Sequence, residues 1–364
     1  MRNKTHYLIA FYIMKRTVTI IGAGMMGSAL AFPAAENGHE VRIVGTCLDD
    51  EIIDGYIKTH KHEKFCRPFP DNVQYYYYKD WQKAVEGADF IIGGVSSFGV
   101  DWFLEEILKK LDPSIPVLSV TKGLRGLADG TLISYPGYWE SELAKVGIHR
   151  TINAIGGPCT SYELVFMDPS EVGFCGKDRA QLEMMKETMQ RPYYHISLTD
   201  DVIGLESAVA LKNAYAMAVT LAVGLNIRWH GEDEPQHYNS QAGTFTQAVR
   251  ETHALMQMQG GTFDAEAIGL GDLYVTIFSG RTRRCGVLMG KGMNYDEVTE
   301  ALAGITLESL VITRVMGEAV RKKAALGLLD LKNFPLLMHI VEILDKGMAD
   351  ADLPWESFTF NSFR

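Results

Sequence analysis

Cysteine is scarce in this 364-residue chain: Cys47, Cys66, Cys159, Cys175 and Cys285 are odd in number, scattered and never in a C-x-x-C pair. That excludes a disulfide framework and a cysteine zinc site, and it suits a reducing, cytoplasmic compartment. A block of basic residues is also lacking, and the net charge is −10. Nucleic acid and anionic membranes are therefore poor partners. The apolar run near the start, Tyr7–Met14, is too short to cross a bilayer and has no small-residue cleavage site. Residues 1–13 are expected to be a dispensable tail or an upstream start, with Met14-Lys15-Arg16 opening the fold. Internal repeats and low-complexity tracts are absent as well. What remains, 47% hydrophobic and 22% charged residues, is ordinary for a globular protein of one or two domains.

Against that background one stretch stands out. Thr17–Ile21 (T-V-T-I-I) is rich in β-branched residues and runs directly into Gly22, Gly24 and Gly27 in G-A-G-M-M-G. A strand followed by G-x-G-x-x-G and a helix is the pattern of a dinucleotide site. Gly22 permits a tight turn, Gly24 lets the backbone approach a pyrophosphate, and Gly27 lets the helix pack on the strand. The pyrophosphate then sits at the positive end of the helix. The helix is expected over about 28–37, with Pro33 kinking it or loosening a turn. Val41–Val44 reads as the second strand. The acid that binds ribose in many NAD enzymes comes late here, at Asp49 or Asp50, and no Arg stands by for a 2′-phosphate. The choice between NAD and NADP stays open.

Further strands are expected at Ala88–Val95, ending in Ser96-Ser97-Phe98, and at Pro116–Val120, ending in Thr121-Lys122-Gly123. Others fall at 151–157, 171–176 and 193–197, and the tyrosine run at 75–78 reads as a strand. Leu104–Leu111 reads as an amphipathic helix. Ser161, with a Glu shortly after, can cap a helix. The alternation of strands and helices predicts an α/β fold with a doubly wound parallel sheet over 14–199. Past Thr199 only helical periodicity remains, over 201–224, 239–259, 295–303, 307–326 and 335–346, so 200–364 is expected to be all-helical.

The helix over 201–224 is apolar nearly all round, yet Lys212 sits in its middle. Its helical neighbours Ala208, Val209, Tyr215 and Ala216 include no acid. Burial lowers the pKa of such an amine toward the range useful for proton transfer. The missing anion is best supplied by Asp272, in Gly269-Leu-Gly-Asp-Leu273, where the glycines suggest a tight backbone. Thr276 follows one turn later. Ser279-Gly280-Arg281-Thr282-Arg283-Arg284 reads as a cationic loop suited to a substrate phosphate or carboxylate. His230, Glu232, Asp233, Glu234 and His237 lie in a polar stretch, Arg228 to Tyr238, without metal-ligand spacing; it is expected to be a solvated loop, with no metal.

Taken together, GAGMMG with A-E-N-G-H-E-V (22–27, 35–41), T-K-G-L (121–124), G-P-x-x-x-x-E (157–163), A-L-K-N (210–213), G-L-G-D-L (269–273) and G-R-T-R-R-x-G (280–286) resemble the soluble NAD(P)-dependent glycerol-3-phosphate dehydrogenases. The resemblance spans about Thr17 to Leu344. It implies a Rossmann-like N-terminal domain, a helical substrate domain and reversible reduction of dihydroxyacetone phosphate to sn-glycerol 3-phosphate. By resemblance, Lys212 is the general acid and base, Lys122 and Asp272 complete the catalytic site, and Asn213 orients the substrate. Gly157, Thr276, Gly280, Arg281 and Thr282 line the substrate site, with Arg281 and the amide near Thr282 on the phosphate. The cofactor, NAD or NADP, falls to Gly22, Gly24, Met25, Met26, Gly27, Thr46, Ser96, Lys122, Ser161, Arg281 and Glu308. A homodimer is expected. The chain departs from the family at Thr282 (usually Asn), Val95-Ser96 (often Val-Pro), Cys159 (Ser or Thr), Thr246-Gln-Ala248 (T-R-G) and the stretch Arg228–Tyr238. The alternatives are a related reductase of another small keto acid or sugar phosphate, akin to 2-dehydropantoate reductases, or a non-catalytic NAD(P) sensor.

Overall fold

The computed structural model describes residues 14–358; the expectation for residues 1–13 lies outside them. Among the described residues ten strands form: β1 (Thr17–Ile21), β2 (Glu40–Val44), β3 (Val73–Tyr76), β4 (Phe90–Gly93), β5 (Val117–Ser119), β6 (Leu124–Gly126), β7 (Leu132–Ser134), β8 (Ile152–Gly156), β9 (Ser170–Cys175) and β10 (Tyr194–Thr199). The helices of the first half are α1 (Met25–Glu36), α2 (Asp50–Thr59), α3 (Trp81–Val85), α4 (Val100–Trp102), α5 (Tyr135–Lys145), α6 (Ser161–Val165) and α7 (Arg179–Met189). Those of the second half are α8 (Val202–His230), α9 (Tyr238–Met258), α10 (Phe263–Phe278), α11 (Gly280–Gly290), α12 (Tyr295–Ala301), α13 (Glu308–Ala325) and α14 (Pro335–Lys346).

The main sheet has eight strands in the order β10-β9-β8-β5-β4-β1-β2-β3. From β3 to β8 neighbouring strands are parallel, and β1, β4 and β8 are buried along most or all of their length, as covering helices on both faces require. The expectation of a uniformly parallel sheet needs one correction. β9 pairs antiparallel to β8, and β10 runs with β9. A short link through α6 joins β8 to β9, and it does not carry the chain back to the starting edge of the sheet as a parallel crossover must. A separate hairpin, β6–β7, follows Gly123 and packs against α13.

α1 begins three residues earlier than expected and runs on through Pro33. The segment Leu104–Leu111 is not a plain α-helix: α4 continues as a π-helix, Phe103–Leu108. The tyrosine run contributes only Tyr75 and Tyr76 to β3.

In the second half α8 is the central element. It is long and apolar enough by composition to cross a membrane, yet the window that qualifies is 89% buried inside the protein. α10 and α11 flank it. A β-carbon on Gly269 of α10 would stand 2.3 Å from the Ala208 side chain, so the glycine sets how closely the two helices meet. These two helices replace the tight backbone expected around Asp272 and the cationic loop expected over 279–284. α9 braces α14 through Glu251. Its carboxylate, fully buried, accepts the backbone N–H groups of Leu336 and Leu337 at 2.7 and 2.9 Å, which helix geometry leaves unpaired after Pro335.

Candidate functional site

The parallel strands end at one edge, and the residues singled out in the first half collect there. Gly22 follows β1 with φ +116°, and a β-carbon on it would lie 2.6 Å from the Gly94 carbonyl oxygen after β4. One on Gly27 would lie 2.4 Å from the Gly22 carbonyl, so the helix reaches the strand only with glycine there. Gly24 differs: a β-carbon there meets nothing within 4 Å. Gly24 is also the N-cap of α1, with no side-chain cap and no acid in the first turn. The amides of Met25 and Met26 are thus left facing an open cradle at the positive end of a helix, which fits a dinucleotide pyrophosphate.

The second strand delivers Thr46. Asp49 accepts the Thr46 amide and hydroxyl, both at 2.8 Å, and the Ala23 amide at 3.2 Å. One oxygen of Asp49 therefore ties the loop after β2 to the glycine turn and is committed to the protein itself. Ser96 follows β4 exposed; its neighbour Ser97 donates to Glu308 at 3.2 Å. Glu308, the first residue of α13, faces Arg281 at 3.6 Å. Ser161 is the first residue of α6, but the capping oxygen belongs to Thr160, which accepts the Glu163 amide.

Lys122 follows β5. Its Nζ donates to the Gly157 carbonyl at 3.2 Å and to Asp272 Oδ2 at 2.6 Å. Lys212 donates to Asp272 Oδ1. Two ammonium groups from opposite halves of the chain thus share one carboxylate that is itself 3% exposed. The anion that the helical neighbours of Lys212 lack comes from Asp272 on α10, a helix rather than a tight turn. Burial pulls the Lys212 amine down to about 8; Asp272 opposes that fall and the Lys122 charge adds to it. Lys122 is also penalised by burial, but the charge and hydrogen bond of Asp272 outweigh this and its pKa ends above the ordinary lysine value. The pair is therefore split: Lys122 stays charged while Lys212 is poised to exchange a proton near neutrality.

Asn213, half-buried, follows Lys212 on α8. The Thr276 hydroxyl donates to the Asp272 carbonyl at 2.7 Å, one turn along α10. The expected cationic loop is the opening of α11. Gly280 bends the chain with φ +89°, Ser279 offers no side-chain cap, and the first turn holds no acid. Arg281 is exposed beside these free amides, Thr282 is buried, and Arg283 turns back to the Ile277 carbonyl at 2.7 Å. A helix N-terminus with an exposed Arg is well made for a phosphate. Sequence reasoning gave Ser97 no role, though it stands just past the end of a strand, where this fold displays its functional side chains.

Gly24 allows a clean test. Gly24→Ala is expected to keep the melting temperature within about 3 °C, because its backbone is extended and its surroundings are open. Dinucleotide affinity, measured by fluorescence titration, should fall by about tenfold or more as the methyl enters the cradle. Unchanged affinity would place the pyrophosphate elsewhere.

Comparison with known proteins follows the same lines. A family model for the N-terminus of NAD-dependent glycerol-3-phosphate dehydrogenase matches residues 17–181, and one for its C-terminus matches 201–353. The NADP(+)-dependent glycerol-3-phosphate dehydrogenase of Archaeoglobus fulgidus is 30% identical, over 94% of this chain and 99% of that protein. The NAD(P)+ glycerol-3-phosphate dehydrogenase of Bacillus velezensis is 28% identical, over 84% of this chain and 86% of that one. In fold, the solved glycerol-3-phosphate dehydrogenase of Coxiella burnetii superposes with a TM-score of 0.76 at 23% identity, over 94% of this chain and 98% of that chain.

Proposed function

The chain belongs to the NAD-dependent glycerol-3-phosphate dehydrogenase family, and from that premise we infer that it reduces dihydroxyacetone phosphate reversibly to sn-glycerol 3-phosphate with NADH or NADPH. When bound, the nicotinamide supplies the hydride. This chain's residues do the rest. The free amides at the start of α11, with Arg281, bind the phosphate. Lys212 Nζ holds the proton that the new alkoxide takes up, and recovers it in the reverse direction. Lys122, kept charged, polarises the same oxygen, and Asp272 holds both amines in register. Asn213 and Thr276 flank that centre and orient the substrate, and the carbonyl of Gly157 fixes Lys122. Gly22, Gly24, Met25, Met26 and Gly27 hold the pyrophosphate, while Thr46, Ser96, Ser161 and Glu308 line the remainder of the nucleotide site. We divide the chain at about Thr199 into a nucleotide half and a substrate half.

The single observation that carries this reading is the carboxylate of Asp272 shared between Lys122 and Lys212. A panel assay tests it. Oxidation of NADH or NADPH is expected with dihydroxyacetone phosphate, at a kcat/KM exceeding that for 2-dehydropantoate by about a thousandfold, the scale on which a phosphate clamp discriminates. The reverse ranking would favour a keto-acid reductase, and no turnover with either would favour a sensor. We also infer a homodimer: Phe263, Tyr274 and Phe278 of α10 are 78%, 58% and 56% exposed, an apolar surface that a second copy would cover. Light scattering in solution checks it.

A further inference from the structure

We propose that Ser97 is a positioning residue for the substrate phosphate: it holds Glu308 back from Arg281 and so keeps the guanidinium free for the anion. The inference rests on the reading of Arg281 as the phosphate ligand.

The arm that carries Ser97 is fixed before it reaches the cleft. β4 ends at Gly93, and the next amide, that of Gly94, donates to the Ile21 carbonyl at 2.8 Å, beside the glycine turn. A β-carbon on Gly94 would come within 3.1 Å of the Gly22 carbonyl oxygen, so the two backbones lie against each other. The carbonyl of Val95 accepts the Thr121 hydroxyl at 2.8 Å, one residue before Lys122. The ends of two neighbouring strands thus clamp the segment, and Ser97 opens a short turn, Ser97–Gly99, at the carboxyl edge of the sheet. From there its hydroxyl donates to Glu308 Oε1 at 3.2 Å, across to the other half of the chain.

The second oxygen of that carboxylate, Oε2, stands 3.6 Å from Arg281 Nη2. This is an ion pair beyond hydrogen-bond range, and the guanidinium makes no hydrogen bond among the described residues. An arginine and a carboxylate left to themselves close into a two-pronged pair at about 2.7–2.9 Å. Such a pair needs both carboxylate oxygens, and one is already held by Ser97 from a rigid arm. Full closure would occupy the same fork of N–H groups that a phosphate needs. Held off, Glu308 keeps Arg281 nearby through charge alone. Arg281 stays 51% exposed beside the free amides that open α11. Glu308 also lies within electrostatic reach of Lys212, whose pKa it raises, so the contact belongs to the rim of the reaction centre.

Steady-state kinetics at saturating NADH tests the assignment. Ser97 is half-buried and alanine removes a single oxygen, so the fold is kept. Ser97→Ala should raise the KM for dihydroxyacetone phosphate about five- to tenfold, the scale of one hydrogen bond. Its kcat should move by no more than about twofold, because a released Glu308 competes with the phosphate equally before and during the chemical step. Affinity for NADH, read by fluorescence titration, should stay within about twofold. In a Glu308→Gln background the same serine substitution should change KM by less than about twofold, since a neutral amide has no charge to close on Arg281. Arg281→Met is the control for the underlying reading and should itself raise KM. If it does not, Arg281 is not the phosphate ligand, and this inference falls with that reading. If it does, three results would overturn the role of Ser97 alone: an unchanged KM in Ser97→Ala, an equal rise in the Glu308→Gln background, or a loss of NADH affinity in place of the KM effect.

Discussion

Lys212→Met is expected to lower the turnover of dihydroxyacetone phosphate by about 10²- to 10⁴-fold, the usual contribution of a positioned general acid. The physical basis is the placement of the amine. It is carried on a buried helix, 12% exposed, and burial brings it down to about 8. The pH dependence has a definite sign. Reduction needs the ammonium form, so its rate is full below the Lys212 pKa and falls as pH rises through about 8. Oxidation of glycerol 3-phosphate needs the free amine, so its rate rises through the same value. Methionine fills nearly the same volume, so loss of activity is not loss of the fold. Affinity for NADH should change by no more than about twofold, since the side chain acts in the chemical step. Steady-state rates from about pH 6 to about pH 10, in both directions, decide the matter. Turnover within about threefold of wild type, or pH profiles that move together, would remove Lys212 from the proton path.

Asp272→Asn carries the second large effect. The carboxylate is the counter-charge of both lysines, at 2.6 Å from Lys122. An amide of the same shape leaves two ammonium groups facing each other with no anion between them. Lys212 then loses the interaction that opposes its fall, so the pH at which reduction fails should move below that of the wild-type protein. Near neutral pH turnover should drop by about 10- to 100-fold, the scale of a lost charge-assisted pair in a buried site. Stability should fall too, because an unpaired buried charge is more costly than no charge at all. A profile that keeps its midpoint in Asp272→Asn would show that the carboxylate does not tune Lys212.

Much of this site is legible in the sequence where local physics decides the outcome. A run such as T-V-T-I-I can only be a strand, and Gly22 and Gly27 are fixed by backbone contacts of 2.6 and 2.4 Å that any side chain would break. Lys212 announces itself because an ammonium in an apolar helix must be answered by something. The rest depends on packing that no local pattern records. Asp49 reads as a ribose ligand from its distance past β2, yet its oxygen is taken by the Thr46 and Ala23 amides. The fully buried β8 reads the same whichever way its neighbour runs, so the reversal at β9 leaves no trace in periodicity. α10 and α11 are rich in glycine, which disfavours isolated helices, and Gly269, Gly286 and Gly290 serve the close approach to α8 instead. Glu308 lies thirty-six residues beyond Asp272 and enters only through resemblance; its contact with Ser97 emerges when the two halves are folded together.

That folding together has a mechanical consequence. The bridge from Lys122 to Asp272, which crosses between the halves, is short and shielded from water, whereas at the rim Ser97 reaches Glu308 through one hydrogen bond of 3.2 Å. A single hydrogen bond adds little net stability. The halves are thus riveted at the lysines and merely latched at the rim. Any breathing of the cleft pivots on the rivet, so the nucleotide can come and go while the proton-transfer geometry stays assembled.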